Sequence, residues 1–290
     1  MDRDSIKCLF KEIELKNYDF SKAPLFIKSK EKNILVEKEI SKKDKIKHWL
    51  KAQRSFICWT KDKSIFSEGY VESGKDRNDI FFKTRGYLKG SILDIGGGWG
   101  LFRQWWKPGK KDVFLVHDPG SERFLNGPHK IHLDYYQRAF KMPMTFVEGF
   151  GEVLPYKDNY FDTCIIASVL DHCIEPKKVV SEAHRCLKPG GIILTIHSFI
   201  NKDLSSHNVK DNTLYIKKRI VSYLRNPIYI LKLPKKLFDR FRLVDHHLQD
   251  FDPEDIILLL KKVGFSQISS SVLPMAFYKD QETHAFEGIK

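Results

Sequence analysis

Five short apolar runs recur along the middle of the chain. They occupy residues 91–95, 113–116, 144–147, 164–167 and 192–196. Each is four or five residues long, rich in Ile, Val, Leu and Phe, without strict alternation. Runs of this kind predict strands buried on both faces, as in a parallel sheet. Helical spacing fits between them. In residues 176–187, Val179, Val180, Ala183, Cys186 and Leu187 share one face. Pro176 suits the first turn, and Gly190 with Gly191 stops the chain beyond it. A second helix is expected over Pro253–Val263. Asp252 is its N-cap, Glu254 and Asp255 sit at the positive end, Lys261 and Lys262 at the negative end, and Gly264 ends it. Alternating strands and helices predict a doubly wound, Rossmann-like α/β fold.

Residues 1–85 read differently. They are lysine-rich, with isolated apolar spots at 34–36 (a short strand) and 45–59 (an amphipathic helix). They are expected to form a cap on a main domain spanning 86–290. Between the fifth strand and the last helix lies an insertion, 201–245, expected to be a helical lid.

Composition narrows the class only a little. The 290 residues are 42% hydrophobic and 30% charged, ordinary for a folded globular chain. The net charge of +13 favours acidic partners without choosing among them. Five scattered cysteines, with no C-x-x-C pair, read as reduced thiols and not a zinc site; no metal is expected. With no long apolar stretch to act as a signal or a membrane span, a cytoplasmic protein is expected.

The first run ends in Asp94-Ile95-Gly96-Gly97-Gly98-Trp99-Gly100. Glycines after a buried strand let the backbone approach a ligand closely, and a following helix would offer its N-terminus. The dinucleotide fingerprint wants a third Gly or Ala at position 101, which is Leu101. Glycines at 96, 98 and 100 point elsewhere.

Four stretches together resemble the class I S-adenosylmethionine (SAM) dependent methyltransferases, in particular the group with the ubiquinone and menaquinone biosynthesis enzymes. They are the glycine loop with Ile92-Leu93 before it; Val116-His117-Asp118-Pro119; Gly151-Glu152-Val153-Leu154-Pro155-Tyr156 with Phe161-Asp162; and Leu187-Lys188-Pro189-Gly190-Gly191. The resemblance covers roughly residues 85–200, and the tail 251–265 looks like the family's last helix and strand. It implies a seven-stranded sheet and SAM as cofactor. Asp94, Gly96, Gly97, Gly98 and Gly100 would face the methionine part, and Asp118 the ribose hydroxyls. Gly151 and Ser168 would also line the cofactor. Where many relatives place an acid for the adenine amino group, this chain has Phe150, which would stack on adenine or join the core.

Methyl transfer is an in-line displacement at a sulfonium, so the protein aligns the acceptor, excludes water and, where needed, removes a proton. Ligands in this fold lie beyond the C-terminal ends of the strands. That selects Asp171 and His172 after the fourth run, and His197 after the fifth, as candidate catalytic groups. His172 has a suitable ordinary pKa for a base, with Asp171 to orient it. His246-His247 could wall the site; adjacent residues diverge and rarely share one ion.

Within the insertion, residues 214–243 carry nine Lys/Arg against one acid, Asp239, interleaved with Tyr, Leu, Ile and Phe. This favours a small-molecule, sugar or lipid-linked acceptor, with contact to an anionic membrane surface among the readings. A nucleic-acid methyltransferase competes on charge alone. Ser168-Val169-Leu170-Asp171 stands where base-nitrogen enzymes carry an Asn/Asp-Pro-Pro-aromatic motif, which argues against it. A non-catalytic SAM-binding subunit is the third reading, and the intact glycine loop argues against that.

Overall fold

A computed structural model describes residues 25–28, 68–120, 128–200, 251–274 and 281–290. Eight strands form one sheet among them: β1 (Leu25–Lys28), β2 (Ile92–Ile95), β3 (Phe114–Asp118), β4 (Thr145–Glu148), β5 (Phe161–Ala167), β6 (Leu187–Ile200), β7 (Ser266–Leu273) and β8 (Gln281–Ile289). Their order is β1-β4-β3-β2-β5-β6-β8-β7, with only β8 antiparallel to its neighbours. Strands β2 to β8 make the expected seven-stranded sheet. The eighth, β1, adds to the edge beside β4. The expected strand at 34–36, the helix at 45–59, the 201–245 insertion and His246-His247 lie outside the described residues.

All five apolar runs become strands; β2 to β4 start one residue later than their runs, while β5 and β6 extend theirs. Every residue of β2 and β4 is buried, which is why these runs show no polar alternation. One face of the sheet carries Leu93, Ile95, Cys164, Ile166 and Ile193, covered by α4 (Pro176–Cys186) and α5 (Pro253–Val263). Asp252 and Asp255 form a capping box at the start of α5, and Gly264 closes its end in the left-handed region. The opposite face carries Ile92, Phe114, Val116, Phe146 and Leu194. Its cover includes α1 (Glu68–Arg85) and the short helices α2 (Lys130–Tyr135) and α3 (Gln137–Lys141). Residues 68–85 thus contribute Val71, Phe81 and Phe82 to the core.

One expectation is corrected. The glycine loop does not enter an α-helix; a five-residue 3-10 turn, Leu101–Trp105, follows it. Its first flank, Gly100, is left-handed (φ 64°), and Trp106 is already extended. Pro108 adds to the stop, because it disfavours helical dihedrals at Lys107. The short turn is held by side chains. Trp105 stacks on Phe82 with ring centroids 5.0 Å apart, and its Nε1 donates to Asp79 (2.7 Å). Trp106 Nε1 donates to the Gly90 carbonyl at 2.8 Å.

Candidate cofactor and acceptor site

The glycine loop leaves the C-terminal end of β2 and doubles back beside β3. The Gly96 N–H donates to the His117 carbonyl (2.8 Å) and the Gly100 N–H to the Gly97 carbonyl (2.8 Å). Gly96, Gly98 and Gly100 all have positive φ. A β-carbon at Gly96 would lie 2.4 Å from Val169 Cγ2, so the loop presses against the segment after β5. Gly97 is as tight: a β-carbon there would lie 2.3 Å from the Asp94 carboxyl carbon.

Asp94 is fully buried, and neither of its carboxylate oxygens accepts a hydrogen bond from a described residue. Burial is the main reason its pKa is pushed from 3.8 to about 8; Asp118 raises it further and Arg103 opposes both. Asp118 is prearranged differently. Its Oδ2 accepts from the Gly98 N–H (2.9 Å) and its Oδ1 from the Gly120 N–H (2.6 Å). Each oxygen keeps acceptor capacity for a second donor.

Arg103 ties the loop together from beneath. Nε donates to the Gly100 carbonyl (3.0 Å), Nη2 to Trp99 (3.0 Å) and Nη1 to Met142 (2.5 Å). Burial lowers its pKa to about 10, with Asp94 pulling the other way. Arg103→Met would leave three carbonyls without this donor and Asp94 without its nearby cation. The expected cost is about 3 kcal/mol, read as a lowered urea midpoint with unchanged m-value.

His117 fixes the neighbouring segment. Its ring is buried, 2.7 Å from the Tyr156 hydroxyl at Nδ1 and 3.1 Å from the Phe150 carbonyl at Nε2. A carbonyl only accepts, so Nε2 carries the proton and Nδ1 accepts from Tyr156. Burial raises the Tyr156 pKa, which keeps that hydroxyl protonated. The same segment is tied twice more. Glu152 Oε1 accepts from the N–H groups of Ile174 (2.9 Å) and Glu175 (3.3 Å). Arg185 donates to the carbonyls of Leu154 (2.8 Å) and Tyr156 (2.7 Å). Phe150 is half-buried, and Gly151 packs on Ile95, where a β-carbon would stand 2.8 Å from Cγ2.

The acceptor side is built from the ends of β5 and β6. Ser168 is exposed, with φ 54°, and its N–H donates to the Ile196 carbonyl (2.8 Å). A non-glycine residue in the left-handed region is an uncommon conformation, of the sort found at functional sites. Asp171 and His172 follow in a 3-10 turn, Leu170–His172, with His172 Nε2 3.8 Å from Asp171 Oδ1. The His172 side chain is 29% exposed. His197 is buried, one position past the last β5–β6 pair, Ala167 with Ile196. Phe199 and Phe251 wall its ring, at 4.8 and 5.9 Å. It faces His284 across the β6–β8 pair.

The structure therefore gathers Asp94, the glycines, Asp118, Phe150, Gly151 and Ser168 at one end of the sheet, with Asp171, His172 and His197 beside them. Sequence reasoning gave no individual role to Arg103, His117, Tyr156, Glu152 or His284. For His117 a signal existed: an imidazole at the end of an apolar run is either satisfied or functional.

Residues 93–195 match the protein family described as a methyltransferase domain. A rat thiol S-methyltransferase is 27% identical over 138 residues, 45% of this chain and 53% of that one. An uncharacterized methyltransferase of Mycobacterium tuberculosis is 30% identical over 105 residues, 36% of this chain and 37% of that one. The chain thus spans about half the length, or less, of these relatives. A Haloferax volcanii chain from a complex of the Trm112 methyltransferase activator with its methyltransferase has a TM-score of 0.50 at 12% identity. The match covers 82% of this chain and 96% of that one. The match to the methyltransferase domain covers about a third of the chain, and the likeness to the Haloferax volcanii chain is one of fold.

Proposed function

We propose that the chain transfers the SAM methyl group to a small-molecule, sugar or lipid-linked acceptor. The observation that carries the reading is a buried carboxyl at Asp94 that accepts no hydrogen bond from a described residue, together with a prearranged carboxylate at Asp118, across the glycines 96–98. SAM supplies an electrophilic methyl on a sulfonium. The residues suit it: Asp94 would take the ammonium of the methionine part, Asp118 the ribose hydroxyls, and Gly96 to Gly98 leave room for both. Phe150, Gly151 and Ser168 would line the remainder of the cofactor.

The acceptor would lie over the ends of β5 and β6. His172, with Asp171 Oδ1 3.8 Å from its Nε2, would take a proton where the acceptor must lose one, and His197 would offer a second, more shielded imidazole. A rat relative named for thiol S-methylation supports a small acceptor. The cationic stretch 214–243 supports one that is anionic or membrane-associated. Flotation with neutral and anionic liposomes separates those two: binding only with anionic lipid marks the membrane-linked case.

The test is production of S-adenosylhomocysteine from SAM with fractionated metabolite and lipid pools, alongside calorimetry of the cofactor. Calorimetry showing no SAM binding would overturn the reading. Asp118→Ala should weaken SAM by about 1–3 kcal/mol, because two hydroxyl donors lose a charged acceptor. Asp118→Asn should lose less, since it keeps one acceptor. Unchanged affinity in both would place the ribose elsewhere.

A further inference from the structure

One of the four family stretches, and the end of another, have no part in the site just described. Phe161-Asp162 and Leu187-Lys188-Pro189-Gly190-Gly191 lie at the N-terminal ends of β5 and β6, the end of the sheet opposite the glycine loop. There they border a cavity of about 600 Å³, closed on its other side by residues 85–89 and Lys107. Among the described residues its cations are Arg85, Lys89, Lys107 and Lys188, and Asp162 is the lone acid in its wall.

These cations are not equivalent. Lys188 is paired with Asp162 (2.8 Å), which also accepts from the Ser91 N–H (2.8 Å). Arg85 is paired with Glu287. Lys89 and Lys107 have no acidic partner among the described residues. Lys107 Nζ sits 3.9 Å from the centroid of the Tyr87 ring, a ring that is itself 40% exposed. The paired groups form its walls, and the other two, both exposed, supply charge that no described acidic group neutralises. Gly86 and Gly190 open the floor: a β-carbon at either would meet no atom within 4 Å.

We infer that this cavity is a second ligand site, for a phosphate monoester of mononucleotide size. Lys89 and Lys107 meet the phosphate, and Tyr87 offers an aromatic surface to the attached group. A lone phosphate is too small for the volume, and a ligand without charge leaves the two lysines unmatched. Because the site lies at the other end of the strands from the glycine loop, its occupancy does not compete with SAM.

Uridine 5′-monophosphate is the probe, because a pyrimidine avoids the adenosine site. It is titrated by calorimetry into protein saturated with S-adenosylhomocysteine, with uridine and inorganic phosphate in parallel. The nucleotide should bind more tightly than either fragment and weaken as salt rises. The double variant Lys89→Gln/Lys107→Gln should lose roughly tenfold in affinity for it. S-adenosylhomocysteine affinity should stay within about twofold, since distant sites act independently. The proposal is overturned if the nucleotide does not bind, if uridine or phosphate alone binds as well, or if the double variant binds it normally.

Discussion

Asp94→Asn is expected to make the cofactor-free protein more stable in mild alkali, even though it removes a residue of the proposed site. The argument is one of linkage. The Asp94 pKa is about 8 in the folded chain against an ordinary 3.8, chiefly because the carboxyl is buried. Between those values the folded chain holds a proton that the unfolded chain has released. Stability therefore falls as pH rises from about 4 and has lost this contribution above about 8. Over that window the loss is on the order of 5 kcal/mol. Asparagine does not titrate, so its stability curve lacks the decline. Urea unfolding at pH 6 and pH 8.5, without cofactor, should show the wild type falling while the variant holds. Parallel behaviour of the two proteins would mean that Asp94 is ionised at neutral pH. Cofactor binding should run the other way. Only the ionised carboxylate attracts the ammonium, so wild-type affinity for SAM rises from pH 6 to 8, and the variant is weak and flat across it.

The strand pattern carried most of the fold because β2 to β6 are buried on both faces, which leaves uninterrupted apolar runs. Helices α4 and α5 were legible from their apolar spacing together with Pro176, Asp252 and Gly264. The 3-10 turn after the glycine loop was not legible. Leu101-Phe102-Arg103-Gln104-Trp105 suits a helix by composition, and the left-handed Gly100, Pro108 and the packing and hydrogen bonds of Trp105 and Trp106 hold it to one short turn. Nor was β1 legible, since a four-residue run in a lysine-rich stretch looks like many that form nothing. At the site, candidates local to one motif could be named from the sequence: Asp94, Asp118 and the glycines. Those acting across long sequence separations could not. Arg103 reaches Met142, His117 reaches Phe150 and Tyr156, and His284 comes beside His197 only through the antiparallel pairing of β8. Such pairs leave no periodic trace in one sequence.

Gly96→Ala should be the most damaging small substitution in the loop, and its cost can be divided. Two penalties act at the position. Its φ is 71°, a backbone region that costs an L-residue about 1–2 kcal/mol. The new methyl would also stand 2.4 Å from Val169 Cγ2 and 2.9 Å from Cγ1, which forces the loop and the segment after β5 apart at about 1–3 kcal/mol. Together they predict a loss of about 3 kcal/mol and disruption of the cofactor surface. Val169→Ala alone removes two methyl groups from a half-buried side chain and should cost about 1 kcal/mol. In the double variant most of the steric part disappears because the obstructing methyls are gone and only the Cβ of residue 169, 3.2 Å away, remains close, while the dihedral part persists. Gly96→Ala/Val169→Ala should therefore be less destabilised than the sum of the single variants by about 1–3 kcal/mol. Simple additivity would show that the backbone dihedral, and not the contact with Val169, is what requires glycine here.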